Sequence, residues 1–380
     1  MNERIIIYSF ILLLVAIYAT PPKSPSLLRR LEELDVLRRY LAQHLGDSAE
    51  PWTGALRRLA AAEATVGSTS IEGYGASLED TVEILAGRHP SSTSEETQRI
   101  IAAYAQAMDR VGVLSEDDRF SWSPQTILEL HFLVCHPQSE ARPGRLREGP
   151  MIVTRGLGRD PFRPPPPNEI PALVDELARW LGAGDLGRHP VIRGAMAHLN
   201  LVSIHPFRDG NGRVARVVQS LVLAKEGLLR PELVSIEPYL GRHTRDYYAV
   251  LEEVQGKAFD PNRDASAWVE FCIEAHVFEA TERRHWLQIA YARHAFCDHV
   301  AREQTYPERF VIALDQALLG LPITNTDYRQ TADVASPTAV QDLQRLRRDG
   351  WLDQEGGGRS VRYVAGKKLQ ELWSRRRSSQ

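Results

Sequence analysis

Cysteine is scarce in this sequence: three residues in 380, Cys135, Cys272 and Cys297, odd in number and far apart. They offer neither a disulfide framework nor the paired spacing of a zinc site, and their scarcity fits a reducing compartment. An excess of either charge is also lacking, since 46 Lys and Arg stand against 49 Asp and Glu, a net charge of −3. No global field draws such a chain to nucleic acid or anionic lipid, so any nucleic-acid site has to be local. Long apolar runs are missing but for one, which excludes a polytopic membrane protein. With 43% apolar and 25% charged residues, collagen and intrinsic disorder are excluded for the bulk of the chain. What remains is an ordinary globular composition, at a length that suggests two or three domains of about 150 residues.

The one apolar run is residues 5–19, IIIYSFILLLVAIYA, without a charge. As a helix it extends about 22 Å at ~1.5 Å per residue, short of the ~30 Å hydrocarbon core of a bilayer. Three readings stand. It is a short membrane anchor, a secretory signal peptide, or a start placed too early with the natural chain beginning near Pro21. Glu3 beside Arg4, and Tyr18 where a small residue is wanted, count against the signal peptide.

Elsewhere the periodicities are mostly helical. Leu27, Leu31, Leu34, Leu37 and Leu41 recur at three and four residues, an amphipathic helix over 26–44. A second helix is expected over 52–66. Thr93 with Glu96 suggests a capping box for a helix to about Arg110. Ser123-Pro124 opens one to about Cys135. Residues 151–154 are strand-like and precede a glycine turn at 156–158. The prolines at 164–167 are stiff polyproline II, a rigid connector before a helix from Asn168 to about Leu181. A long helical pattern runs from about Asp264 to Arg302.

The chemistry sits in residues 205–216, HPFRDGNGRVAR. Helical spacing on both sides (Val191, Ile192, Ala195, Met196, Leu199 and Val202 before; Val214, Val217, Val218 and Leu221 after) argues against the hairpin that Asn-Gly often marks. The glycines free the backbone for positive φ and for close approach of a ligand. Successive amides there form an anion nest at a helix amino terminus. Arg213 and Arg216 lie three apart, on one helical face. A nest with two arginines, an aspartate and a histidine describes a polyphosphate site.

The segment resembles the signature of the Fic family, His-x-Phe-x-(Asp/Glu)-Gly-Asn-Gly-Arg-x-x-Arg. It agrees at all eight defined positions: His205, Phe207, Asp209, Gly210, Asn211, Gly212, Arg213 and Arg216. The resemblance extends from about residue 25 to 365. It implies transfer of AMP from ATP to a protein hydroxyl. His205 is then the candidate general base, since imidazole titrates near neutrality. Asp209 is the candidate Mg²⁺ ligand, one carboxylate beside phosphate oxygens. The amides of Gly210, Asn211 and Gly212 line the phosphate site, and the resemblance places Arg213 at the β- and Arg216 at the γ-phosphate. Phe207 anchors the loop in the core.

Ser68-Thr69-Ser70-Ile71-Glu72-Gly73 fits the family's inhibitory pattern, (Ser/Thr)-x-x-x-Glu-(Gly/Asn), and lies amino-terminal to the core, as in one Fic class. Glu72 paired with Arg216 would keep that arginine from the γ-phosphate. In some relatives this glutamate also supports removal of AMP. Residues 148–165 resemble the family's flap, a hairpin whose edge registers a target segment.

Residues 306–366 suggest a winged helix, with a second helix opening at 323–328 and a third capped by Ser336-Pro337. The third carries Val340, Leu343 and Leu346 inward, ends at Gly350, and exposes Gln341, Arg345 and Arg348 as a recognition helix. Residues 336–380 hold ten Lys/Arg and five Asp/Glu, ending in Arg375-Arg376-Arg377. DNA contact and protein binding both fit such a module. His294, Cys297 and His299 lack a fourth ligand and are read as structural. His131, His136, His243 and His276 stand singly.

The expected fold is mainly α. It comprises a hydrophobic segment (1–22), a helical arm with the inhibitory motif (23–115), a Fic core with its β-hairpin flap (116–260), a connecting helix (261–305), the winged helix-turn-helix (306–366) and a basic tail (367–380). The leading function is a cytoplasmic protein adenylyltransferase, membrane-anchored if residues 5–19 serve as an anchor. It uses ATP and Mg²⁺, is restrained by Glu72, and acts on a partner protein bearing a Ser, Thr or Tyr hydroxyl; a homodimer is a further partner expectation. The alternative is a DNA-binding regulator whose Fic core senses nucleotide or modifies itself. A third is transfer from a different nucleotide donor.

Overall fold

The computed structural model describes residues 16–45, 51–154, 160–227, 235–358 and 361–378. Residues 5–15 of the apolar run and the glycine turn at 156–158 lie outside them. In chain order the helices are α1 (Pro25–Leu45), α2 (Pro51–Ile71), α3 (Leu78–Leu85), α4 (Glu95–Glu116), α5 (Pro124–Cys135) and α6 (Ile170–Ala183). There follow α7 (Pro190–Ile204), α8 (Asn211–Glu226), α9 (Glu237–Arg242) and α10 (Thr244–Gln255). The long α11 (Ser266–Glu303) leads to α12 (Phe310–Leu318), α13 (Asn325–Thr331), α14 (Ser336–Arg348) and α15 (Lys367–Ser378). Strands β1 (Leu352–Glu355) and β2 (Arg362–Ala365) pair antiparallel between the last two helices. The chain is mainly α, as its periodicities predict.

Two apolar clusters meet on α7, which is buried almost all round, the pattern of a central helix. Val191, Ala195 and Leu199 face α1, α10 and α11, whereas Ala197, Leu201 and Ile204 face α4, α5, α6 and α8. The leucine stripe of α1 is buried as its spacing predicts, and it joins the first of these clusters. Residues 23–115 therefore contribute to the same cores as residues 116–260. A third cluster gathers the end of α11 with α12, α13, α14, both strands and α15. Ile323 also bridges Tyr363, adding a short third rung to the strand pair.

Several boundaries differ from the sequence reading. Ser94, not Thr93, caps α4, because Thr93 hydrogen-bonds Asp80; the helix then runs to Glu116. Asn168 lies in a 3₁₀ turn, and α6 starts at Ile170. Residues 151–154 contribute only a bridge, Val153 to Phe162. Ser336 is already helical and caps nothing. On α14 the buried apolar positions are Ala339, Leu343 and Leu346, and Val340 points outward at 39% exposure. Gln341 and Arg348 are exposed, whereas the Arg345 guanidinium stacks over Tyr306. Cys297 is buried, and exposed His299 faces Glu303 at 3.3 Å.

The end of the apolar run folds onto the globule. The Tyr18 N–H donates to Asn200 Oδ1 at 2.7 Å, and Asn200 Nδ2 donates back to the Tyr18 carbonyl at 3.3 Å. The ring is 1% exposed and meets Phe259 edge-on; burial pushes its phenol up to about 12. Tyr18 thus packs on α7. No helix among the described residues is long and apolar enough to cross a membrane. Deleting a buried aromatic side chain costs about 3–5 kcal/mol. Tyr18→Ala is therefore expected to lower the urea midpoint clearly, and an unchanged midpoint would show that this contact contributes nothing.

Candidate active site

The loop after α7 owes its shape to four residues. His205 takes a left-handed conformation (φ 50°) and its N–H closes the last helical turn on the Leu201 carbonyl at 2.9 Å. Pro206 cannot continue the helix. Gly210 returns the chain into α8 at φ 77°, where a Cβ would lie 2.3 Å from the Cys135 sulfur, so only glycine fits. Asn211 staples the loop: its Oδ1 accepts from the Phe207 N–H at 3.0 Å, and its Nδ2 donates to the Phe207 carbonyl at 2.9 Å. Asn211 was expected to act through its backbone alone; its side chain also holds the loop's form. Phe207 is fully buried, as expected.

Two neighbours hold this loop from outside. His131 of α5 stacks on Phe207, centroids 3.7 Å apart. Its Nδ1 accepts from the Gly144 N–H at 2.9 Å, which leaves Nε2–H to donate to the Asp209 carbonyl at 3.1 Å. Burial holds its pKa down to about 4, so it stays neutral. His131 therefore does not stand alone, as its place in the sequence suggested. Arg147 binds three carbonyls: Nε donates to His205 at 2.8 Å, Nη1 to Gly149 at 2.9 Å and Nη2 to Pro165. It ties the loop to the proline segment, whose Pro166 has the expected polyproline geometry.

The half-buried His205 ring has its Nδ1 3.2 Å from the Val202 carbonyl. Donation to that carbonyl fixes the tautomer and leaves Nε2 as the acceptor. Burial lowers its pKa to about 4, against the opposing pull of the Val202 carbonyl. Asp209 is exposed; its Oδ1 accepts from the Gly210 N–H at 2.7 Å, and Oδ2 lies 3.6 Å from Arg213 Nη2. The first turn of α8 leaves backbone N–H groups without intrahelical acceptors at the same place.

Both arginines of α8 are about 1% exposed. Arg216 donates from Nε to Ser68 Oγ at 2.7 Å and from Nη2 to the Ser68 carbonyl at 3.0 Å and Glu72 Oε1 at 2.9 Å. Burial opposes the Arg216 charge, but Glu72, with Tyr247 and Tyr104, more than offsets it and raises the pKa. Arg213 Nη1 donates to Gln138 Oε1 at 2.8 Å. Arg213 Nε and Arg216 Nη1 have no hydrogen-bond partner among the described residues. Glu72 can come this close because residue 212 is glycine: a Cβ there would lie 2.5 Å from Glu72 Oε1.

Helix α2, expected over 52–66, runs on to Ile71 and so presents Ser68 and Glu72 to Arg216. Its approach to α9 is backbone on backbone at Gly67, where a Cβ would lie 2.2 Å from the Glu237 carbonyl. Beneath it, Tyr104 donates to the buried Glu237 carboxylate, whose pKa burial raises. All eight signature positions and Glu72 thus converge on one site. Sequence reasoning missed Arg147, Gln138 and the role of His131. No group of three or more His, Cys, Asp or Glu side chains among the described residues is placed to hold a metal ion.

The comparisons with known proteins fall on this region. Residues 121–223 match the Fic/DOC family; Glu72 lies outside the match. The chain is similar to a "Protein adenylyltransferase Fic" of Drosophila sechellia, 31% identical over 204 residues, 52% of this chain and 39% of that one. It is also similar to "Protein adenylyltransferase fic-1" of Caenorhabditis elegans, 30% identical over 188 residues, 48% of this chain and 34% of that one. It thus spans well under half the length of the curated relatives it matches. A Fic family protein from Desulfovibrio desulfuricans G20 shares its fold at a TM-score of 0.60 and 22% identity, over 92% of this chain and 98% of that one. C. elegans Fic-1 does so at 0.54 and 22%, over 69% and 74%. Residues 121–223 of this chain thus carry the match to the Fic/DOC family, within a helical fold that these solved structures share.

Proposed function

We propose that this chain transfers AMP from ATP to a Ser, Thr or Tyr hydroxyl of a target protein, and that Glu72 restrains it. The observation that carries the reading is a pair of buried arginine donors without partners among the described residues, Arg213 Nε and Arg216 Nη1, on the helix that follows His205. Donors so placed, next to free amides at a helix start, suit a polyphosphate. The names of the curated relatives support the same activity.

In this reading Nε2 of His205 takes the proton from the target hydroxyl. The hydroxyl oxygen bonds to the α-phosphorus, the α–β bridging P–O bond breaks, and pyrophosphate leaves. Arg213 holds the β-phosphate and Arg216 the γ-phosphate, while the amides of Asn211 and Gly212 meet developing charge; that of Gly210 is held by Asp209 Oδ1. Exposed Asp209 fits Mg²⁺ in the usual manner of one carboxylate beside substrate phosphates; the metal would supply further neutralisation there. With Glu72 on Arg216, the γ-phosphate meets a carboxylate instead of a free guanidinium. The carboxy-terminal order of α12, the Ile323 bridge, α13, α14, β1 and β2 supports a winged helix appended to this core.

Incubating the chain with labelled ATP and Mg²⁺ tests the reading, with His205→Ala as control. Label that depends on His205 is expected; its absence, even with Glu72→Gly, would exclude the activity. The pH profile adds a second check. The base must be neutral, and burial lowers the His205 pKa to about 4. Its basic form therefore persists through acid pH, and the acid limb of kcat/KM, which reports the free enzyme, should lie well below pH 6. A limb at or above the ordinary imidazole value of about 6.5 would contradict the assigned environment.

A further inference from the structure

The turn that ends α2 at Ile71 carries the chain past Glu72 to a second contact. Gly73 (φ 88°) turns the chain left-handed; its N–H donates to the Ser70 carbonyl and that of Tyr74 to the Thr69 carbonyl, both at 3.0 Å. This Schellman turn carries Tyr74 across to the other arginine. The Tyr74 ring centroid lies 5.6 Å from Arg213 Cζ. Its hydroxyl accepts from Gln138 Nε2 at 2.8 Å, and Gln138 Oε1 accepts from Arg213 Nη1 at 2.8 Å. Gln138 is 6% exposed, and its own N–H is fixed on the Cys135 carbonyl at the end of α5.

A carboxamide can present either its oxygen or its nitrogen. The tyrosine hydroxyl, by accepting from Nε2, turns the oxygen toward the guanidinium. With one face against the ring and Nη1 on Gln138, Arg213 has its Nε and Nη2 edge left. Nε is unpartnered among the described residues, and Nη2 faces Asp209. That edge borders the loop that would hold the phosphates.

We propose that Tyr74 and Gln138 are positioning residues that seat Arg213 for the β-phosphate, so that the arm both withholds Arg216 and prepares Arg213. This rests on the nucleotide reading given above. One consequence separates it from a simple brake. Glu72 and Tyr74 are two residues apart on one turn, so a displaced arm frees Arg216 while unseating Arg213. Replacing Glu72 frees Arg216 alone.

The test is equilibrium binding of ATP and of AMP to the full chain carrying Glu72→Gly, with Tyr74→Ala, Tyr74→Phe or Gln138→Ala added and thermal melting as a check on folding. Tyr74→Ala and Gln138→Ala are expected to weaken ATP binding about tenfold, roughly the worth of one lost polar or cation–π restraint. Tyr74→Phe, which keeps the ring, should fall between. AMP binding should not change, since AMP has no β-phosphate; a general loss of structure would weaken both. Unchanged ATP affinity, or equal losses for ATP and AMP, overturns the proposal while leaving His205-dependent labelling intact. So does a Tyr74→Ala chain, with Glu72 in place, that labels as strongly as Glu72→Gly, since Tyr74 would then belong to the brake. If Glu72→Gly itself binds no ATP, the nucleotide reading fails first and this one with it.

Discussion

Glu72→Gly is expected to raise the initial rate of AMP transfer by about 5- to 150-fold at limiting ATP, from ~1–3 kcal/mol of differential binding. The contact has the features that make an ion pair count. The arginine is 1% exposed and the glutamate side chain 23%, and Arg216 makes two further hydrogen bonds to Ser68. An exposed pair would be worth less than 1 kcal/mol and would fade with salt. On the proposed reading the glutamate costs ATP twice, by occupying a guanidinium edge and by placing a carboxylate where the γ-phosphate would lie. Glycine removes both effects, and Ser68 remains to orient Arg216. The gain should appear mostly in KM for ATP. An unchanged or lower rate would mean that Glu72 serves another purpose, such as fixing the end of α2.

His205→Ala, in the Glu72→Gly chain, should reduce the rate by about 10²–10⁴-fold, the usual contribution of a positioned general base. Neither of two imidazoles elsewhere in the core, His131 and His198, is free to take over. His131 is turned to the Asp209 carbonyl and the Gly144 amide, and the fully buried His198 lies between Gln219 and Tyr247. Alanine also removes the ring's hydrogen bond to the Val202 carbonyl, which helps hold the loop, so the loss must be read beside a binding measurement. ATP affinity near that of the parent would assign the loss to proton transfer. Equal loss of binding would assign it to the loop.

The sequence foretold the parts of this site that depend on local spacing. Leucines at three and four residues marked α1, Ser123-Pro124 marked α5, and the helical flanks of residues 205–216 argued correctly against a hairpin. The eight signature residues lie within 12 positions, so their clustering needed no tertiary knowledge. Contacts that cross the fold left no such trace. Arg147 reaches His205 over 58 positions, and Gln138 reaches Arg213 over 75. His131 looked solitary because its partners lie 13 and 78 positions away. Glu72 and Arg216 are 144 apart, and only the resemblance to a family pattern linked them. The boundary errors have a different cause. A cap is set by which residue leaves helical dihedrals, and at residues 93–94 two adjacent hydroxyls compete; Thr93 was drawn off by Asp80. At Val340 the helical phase was off by one, and the small Ala339 took the buried place.

The most direct test of the central claim compares ATP labelled at the α-phosphate with ATP labelled at the γ-phosphate, using the full chain, Glu72→Gly, and Glu72→Gly with His205→Ala. Protein-bound label from the α-position only, stronger in Glu72→Gly and lost with His205→Ala, is the predicted result. Label from the γ-position, or α-label that survives the loss of His205, would contradict it.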